Sequence, residues 1–142
     1  DIEKRINGAI ISGNVGNETP CAAETYATDA GTLRTRLIGR GGWMALSDNE
    51  GASYSGIPGA TGGLQQCARR IASMPTNRDI VVSWCNAQAW VSRTGGVSWV
   101  EVTAGLNWQR FGCGYIHTVT PTTDAQVLIT CNNDRPPVLL DF

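Results

Sequence analysis

Apolar and β-branched residues in this chain occur in short runs that are cut by glycine, proline and small polar residues. Between residues 67 and 103 this pattern predicts four strands, at about 67–74, 80–86, 88–93 and 97–103. The turns between them fall near Thr76-Asn77-Arg78 and Thr94-Gly95-Gly96. The best helical candidate, LQQCARRIASM (Leu64 to Met74), also alternates as a strand does, and we read it as strand.

The pattern repeats. CARRIASMPTNRDIVVSWCN (67–86) and CGYIHTVTPTTDAQVLITCN (113–132) align without gaps. Cys67 and Cys113, Pro75 and Pro121, Thr76 and Thr122, Val81 and Val127, Cys85 and Cys131, and Asn86 and Asn132 are each 46 residues apart. A further step back reaches Cys21, which opens a more divergent copy with Gly39 in place of its second cysteine. We therefore expect one domain, 1–142, of three repeats at about 21–66, 67–112 and 113–142. Residues 1–20 stand in phase to complete the third repeat, in this chain or in a neighbour. Each repeat reads as a four-stranded antiparallel meander.

Composition agrees: 17 glycines and 6 prolines in 142 residues suit short strands and tight turns. The net charge of −1, with scattered Lys and Arg, gives no basic footprint for nucleic acid or an anionic membrane. No stretch approaches the roughly 20 apolar residues of a membrane helix, so we expect a soluble chain without membrane insertion. It opens at Asp1, read as a processed terminus: a signal peptide, a propeptide or the front of a longer polyprotein removed.

The five cysteines pair by repeat geometry. Cys67 and Cys85 should face each other across the first hairpin of the second repeat, as should Cys113 and Cys131 in the third. In an oxidising compartment these are disulfides Cys67–Cys85 and Cys113–Cys131, with Cys21 left over; in a reducing one they are small apolar residues of a sheet. One histidine and no close cysteine pair argue against a metal site, and no cofactor is expected.

LSDNEGASYSGIPG (46–59) precedes VSRTGGVSWVEVTAG (91–105) by 45 residues. Ser47, Asn49, Gly51 and Tyr54 in the first correspond to Ser92, Thr94, Gly96 and Trp99 in the second. Both stretches resemble the Asp-box, Ser-x-Asp-x-Gly-x-Thr-Trp, of the sialidase-like (BNR-repeat) β-propellers. In that family the box is a structural turn between the third and fourth strands of a blade. The resemblance implies an all-β fold of about three four-stranded, propeller-like blades of some 46 residues. Asn49 and Thr94 replace the acidic residue; asparagine still supplies an oxygen to the turn, and threonine is expected to do so poorly. The Thr28 to Thr32 stretch, TDAGT, is read as an ordinary turn. A β-trefoil is the alternative fold, since three repeats of this length also suit it and "QAW" (88–90) after paired cysteines is similar to ricin-B-type lectins.

"RTGG" has neither the spacing nor the following helix of a nucleotide loop. Propellers close with about four to eight blades, so three call for other subunits, as a homo-oligomer, a filament or a complex with other proteins. We therefore expect a non-catalytic structural, assembly or surface-recognition protein, extracellular or on a virion or cell surface. A glycan-binding module is the first alternative: Trp43 and Trp108, with Arg40 and Arg110 nearby, are its candidate ligand contacts. A sialidase-like hydrolase is the second, and no arginine triad with a Tyr/Glu nucleophile pair maps onto the chain, so no catalytic residue is assigned. His117 is read as structural.

Overall fold

The structure, a computed structural model, describes residues 11–12, 20–39, 44–57, 70–106 and 113–142. Among them every regular element is a strand, and the strands fall into three sheets that follow the repeats. The first sheet holds β1 (Ile11–Ser12), β2 (Pro20–Ala27), β3 (Leu33–Gly39), β4 (Met44–Ser47) and β5 (Tyr54–Gly56), in the order β1-β5-β4-β3-β2. The second is β6 (Arg70–Met74), β7 (Asn77–Cys85), β8 (Gln88–Ser92) and β9 (Val100–Glu101), and the third is β10 (Ile116–Thr123), β11 (Gln126–Cys131) and β12 (Val138–Asp141). Within each repeat, neighbouring strands are antiparallel and consecutive, as a meander requires. These are blade-like sheets in series, not the single barrel of a trefoil.

Strand β7 shows why the sheets stack. Its residues Ile80 to Cys85 are all buried, so both of its faces are covered. Alternation sends Ile80, Val82 and Trp84 toward the third sheet, where with Ala89 and Val91 they share a cluster with Ile116, Val119, Val127 and Ile129. The intervening face carries Cys85, joined by Trp90 from β8 in a cluster with Ile38 and Met44 of the first sheet. The second sheet is thus the centre of a three-layer stack, which is why its central strand is apolar on both faces from Ile80 to Cys85 except at Ser83.

Several boundaries differ from those expected. Strand β7 begins at Asn77, because Pro75 and Thr76 alone make the turn and Met74 pairs with Asn77. A register shift between Ser73 and Met74 takes up the slack. Strand β9 is only two residues long. The Thr28 to Thr32 turn forms as expected, closed by the Thr28 N–H on the Thr32 carbonyl at 2.8 Å. In the third sheet, Cys131 lies in register with Ile116 rather than with Cys113, because the hairpin turns at Asp124-Ala125, between the paired Thr123 and Gln126, and not at residue 122; two irregularities in the β10–β11 pairing offset only part of that shift. Cys113 sits just before β10 and still forms the disulfide with Cys131, with a Cα–Cα distance of 5.5 Å. Cys85 is also disulfide-bonded; Cys67, its expected partner, lies outside the described residues.

Residues Ile11–Ser12 pair in parallel with Tyr54–Ser55 at the outer edge of the first sheet. Those two residues therefore extend the first repeat and do not lie beside β12. The remainder of 1–19 is outside the described residues.

Candidate functional site

The two matched turns have the same internal wiring. Ser47 Oγ accepts the Gly51 N–H at 2.9 Å, and Ser92 Oγ accepts the Gly96 N–H at 2.8 Å. Each serine also meets the polar residue two positions on, Asn49 or Thr94. Asn49 Oδ1 accepts the Ser53 N–H at 2.9 Å, and Thr94 Oγ1 accepts the Ser98 N–H at the same distance. Threonine serves this role as well as asparagine, contrary to expectation, because one oxygen at that spot suffices. The aromatics cover the turns: Trp99 donates from Nε1 to the Gly96 carbonyl at 3.0 Å, and the Tyr54 ring lies against Gly51. Burial raises the Tyr54 phenol above its ordinary pKa.

Both turns open onto one cleft of about 530 Å³ between the first and second sheets, lined among others by Arg34, Asp48, Asn49, Ser53, Asp79 and Thr94. Arg34 grips Asp48 with two nitrogens, Nη2 lying 3.1 Å from Oδ2. The guanidinium holds the Asp48 carboxyl below its ordinary pKa, and the carboxylate in turn raises that of Arg34. Both side chains are substantially exposed, so the pair orders the rim of the cleft more than it stabilises the fold.

Deeper in the same interface lies a charged stack that sequence reasoning missed. Arg36 is 3% exposed and donates to Glu24 at 2.8 Å, to the Tyr26 hydroxyl at 3.0 Å and to the Arg78 carbonyl at 2.9 Å. The guanidinium carbon of Arg78 lies 4.3 Å from the Tyr26 ring centroid, and that of Arg36 5.3 Å. The available signal was the two-residue spacing of Arg34 and Arg36 on β3 and of Glu24 and Tyr26 on β2, which puts all four on one face. Arg36 spends these donors on internal partners, and its buried Nε has none. This is a structural tie between two sheets and leaves little to offer a ligand.

Trp43, Trp108, Arg40 and Arg110, the candidate glycan contacts, lie outside the described residues. His117 is exposed, and its backbone carbonyl accepts the Trp84 indole N–H at 3.2 Å. Among the described residues no group of three or more His, Cys, Asp and Glu side chains gathers to hold a metal ion.

The second notable feature is the outer edge of the third sheet. Repeat by repeat, Arg36, Val82 and Leu128 are equivalent, and their partners on the next strand are Leu46, Val91 and Leu139. Leu46 pairs onward with Ser55, and Val91 with Val100. Among the described residues Leu139 has no such neighbour, since β12 ends the sheet. Val91 is 2% exposed because its face packs on the third sheet, and Leu139 is 52% exposed because it lies on the face of the third sheet away from that core. The Phe142 N–H donates to the Ala125 carbonyl, so Phe142, Leu140 and Val138 bond inward to β11. The intervening Leu139 and Asp141 direct their N–H and C=O groups out of the sheet.

No family model matches the sequence, and no curated protein matches it. Among solved structures, the chain is similar to YCF48 bound to D1 peptide, with 17% sequence identity and a TM-score of 0.45. The match covers 91% of this chain and 39% of that one, so this chain spans well under half of that protein's length.

Proposed function

We propose that this chain is a non-catalytic structural, assembly or surface-recognition protein that associates through the edges of its blade-like sheets. The observation that carries this reading is the edge of β12, where Leu139 and Asp141 present backbone groups that have no partner among the described residues, beside an exposed apolar side chain. A strand edge of this kind is a template for another strand. Ser47, Asn49, Ser92 and Thr94 support the reading, because their side chains bond within their own turns.

The likeness of these turns to the Asp-box of sialidase-like propellers rests on the Ser, Gly and aromatic spacing together with the shared hydrogen bonds. In this reading Asn49 and Thr94 stand in for the acidic residue. The Cys113–Cys131 disulfide supports an oxidising location, extracellular or on a virion or cell surface. Partners are then other copies of the chain, other subunits or surface glycans.

Light scattering behind size exclusion, over a hundredfold range of concentration, tests the assembly. A mass rising above the 15.1 kDa of one chain supports it, and 15.1 kDa at every concentration overturns it. Turnover of a fluorogenic sialoside would overturn the non-catalytic part.

A further inference from the structure

We propose that the cleft between the first and second sheets is a binding site for an uncharged oligosaccharide, held through its hydroxyl groups. This rests on the surface-recognition part of the reading above and adds to it a place and a ligand class.

The cleft continues into a neighbour. A second hollow of about 340 Å³, lined among others by Tyr26, Thr28, Asp29, Asn77 and Arg78, shares Arg34 and Asp79 with it. The two make one groove across the junction of the sheets, and each is within the roughly 300–1,000 Å³ of hollows that hold small ligands. Charge balances in both. Arg34 and Arg36 stand against Asp48 and Asp79 in the cleft, and Arg34 and Arg78 against Asp29 and Asp79 in the hollow. Among the described lining residues there is thus no positive excess for a phosphate or nucleic acid, and no negative excess for a basic peptide. The Tyr26 ring is covered by the guanidinium groups of Arg36 and Arg78, so a flat apolar ligand finds no free face on it.

Donors and acceptors are interspersed along the groove. Arg34 gives Nε and Nη2 to Asp48, which leaves the N–H groups of Nη1, and each Asp48 oxygen keeps a lone pair. Ser53 Oγ accepts from Asn49 Nδ2 at 2.8 Å and keeps its own O–H. The Asp79 carboxylate and the Ser55 hydroxyl, on exposed residues, make no hydrogen bond among the described residues. A sugar hydroxyl both donates and accepts, so a run of hydroxyls matches a groove of mixed polarity and no net charge. A peptide main chain docks on a strand edge, whereas Arg36, Leu46 and Ser55, paired across three strands, make this wall a sheet face.

Amide NMR spectra of the 142-residue chain, titrated to about 10 mM with maltohexaose, cellohexaose, mannohexaose and chitohexaose in turn, test the site. At least one of these should shift the amides of Asp48, Ser53, Ser55 and Asp79 and leave the third sheet unmoved. Without ring stacking the expected Kd is on the order of 1 mM. Asp79→Ala and Ser55→Ala break no side-chain bond within the fold and should each weaken binding about three- to tenfold. Asp124→Ala, in the exposed β10–β11 turn, should leave it unchanged.

No shift with any of the four sugars, shifts away from the groove, or binding unaltered by both groove variants overturns the site. Binding of a neutral Gly-Ser hexapeptide as tight as that of the best sugar overturns the ligand class, and so does tighter binding of an anionic hyaluronan hexasaccharide. Light scattering on the same samples keeps the two readings apart. An oligomer without sugar binding overturns this site alone, and a 15.1 kDa chain that binds sugar in the groove overturns the assembly alone.

Discussion

Gly96 is the position where the structure makes the sharpest demand on sequence. Its φ is +105°, outside the left-handed helical region, and a Cβ built there would lie 2.1 Å from Met44 Sδ and 2.7 Å from Met44 Cε. Met44 is 1% exposed, so its side chain has no open space to retreat into. Gly96→Ala therefore combines backbone strain of about 1–3 kcal/mol with overpacking of about 1–3 kcal/mol, less a gain of about 0.4–1 kcal/mol from a stiffer unfolded chain. The net loss is about 1–6 kcal/mol, or roughly 3–20 °C in Tm for a chain of this size. Gly95 next to it is the internal control. Its φ of +66° is left-handed helical, and the equivalent position of the first turn is Glu50, at φ 57°, which shows that a side chain fits there. An added Cβ would meet only Asp79 Oδ1, at 3.3 Å, on an exposed side chain that can move. Gly95→Ala should cost at most about 1 kcal/mol. Urea denaturation followed by tryptophan fluorescence compares the two. Adding Met44→Ala should recover about 1–3 kcal/mol of the Gly96→Ala penalty, because it removes the clash. Equal effects of the two glycine substitutions, or strictly additive Gly96 and Met44 substitutions, would refute the packing of this turn on the first sheet.

Other consequences are as direct. Arg36→Ala leaves Glu24 in a half-buried site without its partner and should cost about 3–5 kcal/mol by denaturant unfolding, whereas the double variant Glu24→Leu, Arg36→Leu should recover most of that loss. The Asp48 carboxyl is held below its ordinary value by Arg34, so the pair contributes above the unfolded pKa of about 3.9 and its contribution is lost as the pH falls through the folded value. Since Asp48 is exposed, this amounts to less than about 1 kcal/mol, and the difference in acid sensitivity between Asp48→Asn and the unaltered chain should vanish in about 1 M salt. Replacing Cys113 and Cys131 together by serine opens a loop with a sequence separation of 18 and should lower stability by about 3 kcal/mol, measured by thermal and denaturant unfolding.

Much of the fold was legible because a repeat of about 46 residues supplies two readings of each element. The Ser, Gly and aromatic spacing located both turns, and the turns are built as that spacing requires. Burial on both faces also explains why Ile80 to Cys85 is apolar at every position but Ser83. What sequence reasoning missed depends on contacts between sheets. Nothing local marks Arg36 as buried: its partners Glu24, Tyr26 and Arg78 lie 12, 10 and 42 residues away. The demand on Gly96 likewise comes from Met44, a residue of another sheet. Cysteine register was misjudged because the repeat places the hairpin centre at residue 122, whereas the chain turns at Asp124-Ala125. The edge of β12 is a property of the third sheet's strand order, and Leu139 is exposed because it lies on the face of that sheet away from the core, whereas its equivalent Val91 packs on the third sheet.

The proposed assembly requires that the β12 edge, open among the described residues, be filled by another chain. Amide hydrogen exchange of Leu139 and Asp141, measured by NMR against Leu140 and Phe142 over a range of protein concentration, tests it most directly. In the dilute chain Leu139 and Asp141 should exchange fast while Leu140 and Phe142 are protected, and the two fast amides should become protected as concentration rises. Protection of Leu139 and Asp141 at the lowest concentration, or fast exchange at every concentration, would contradict the account.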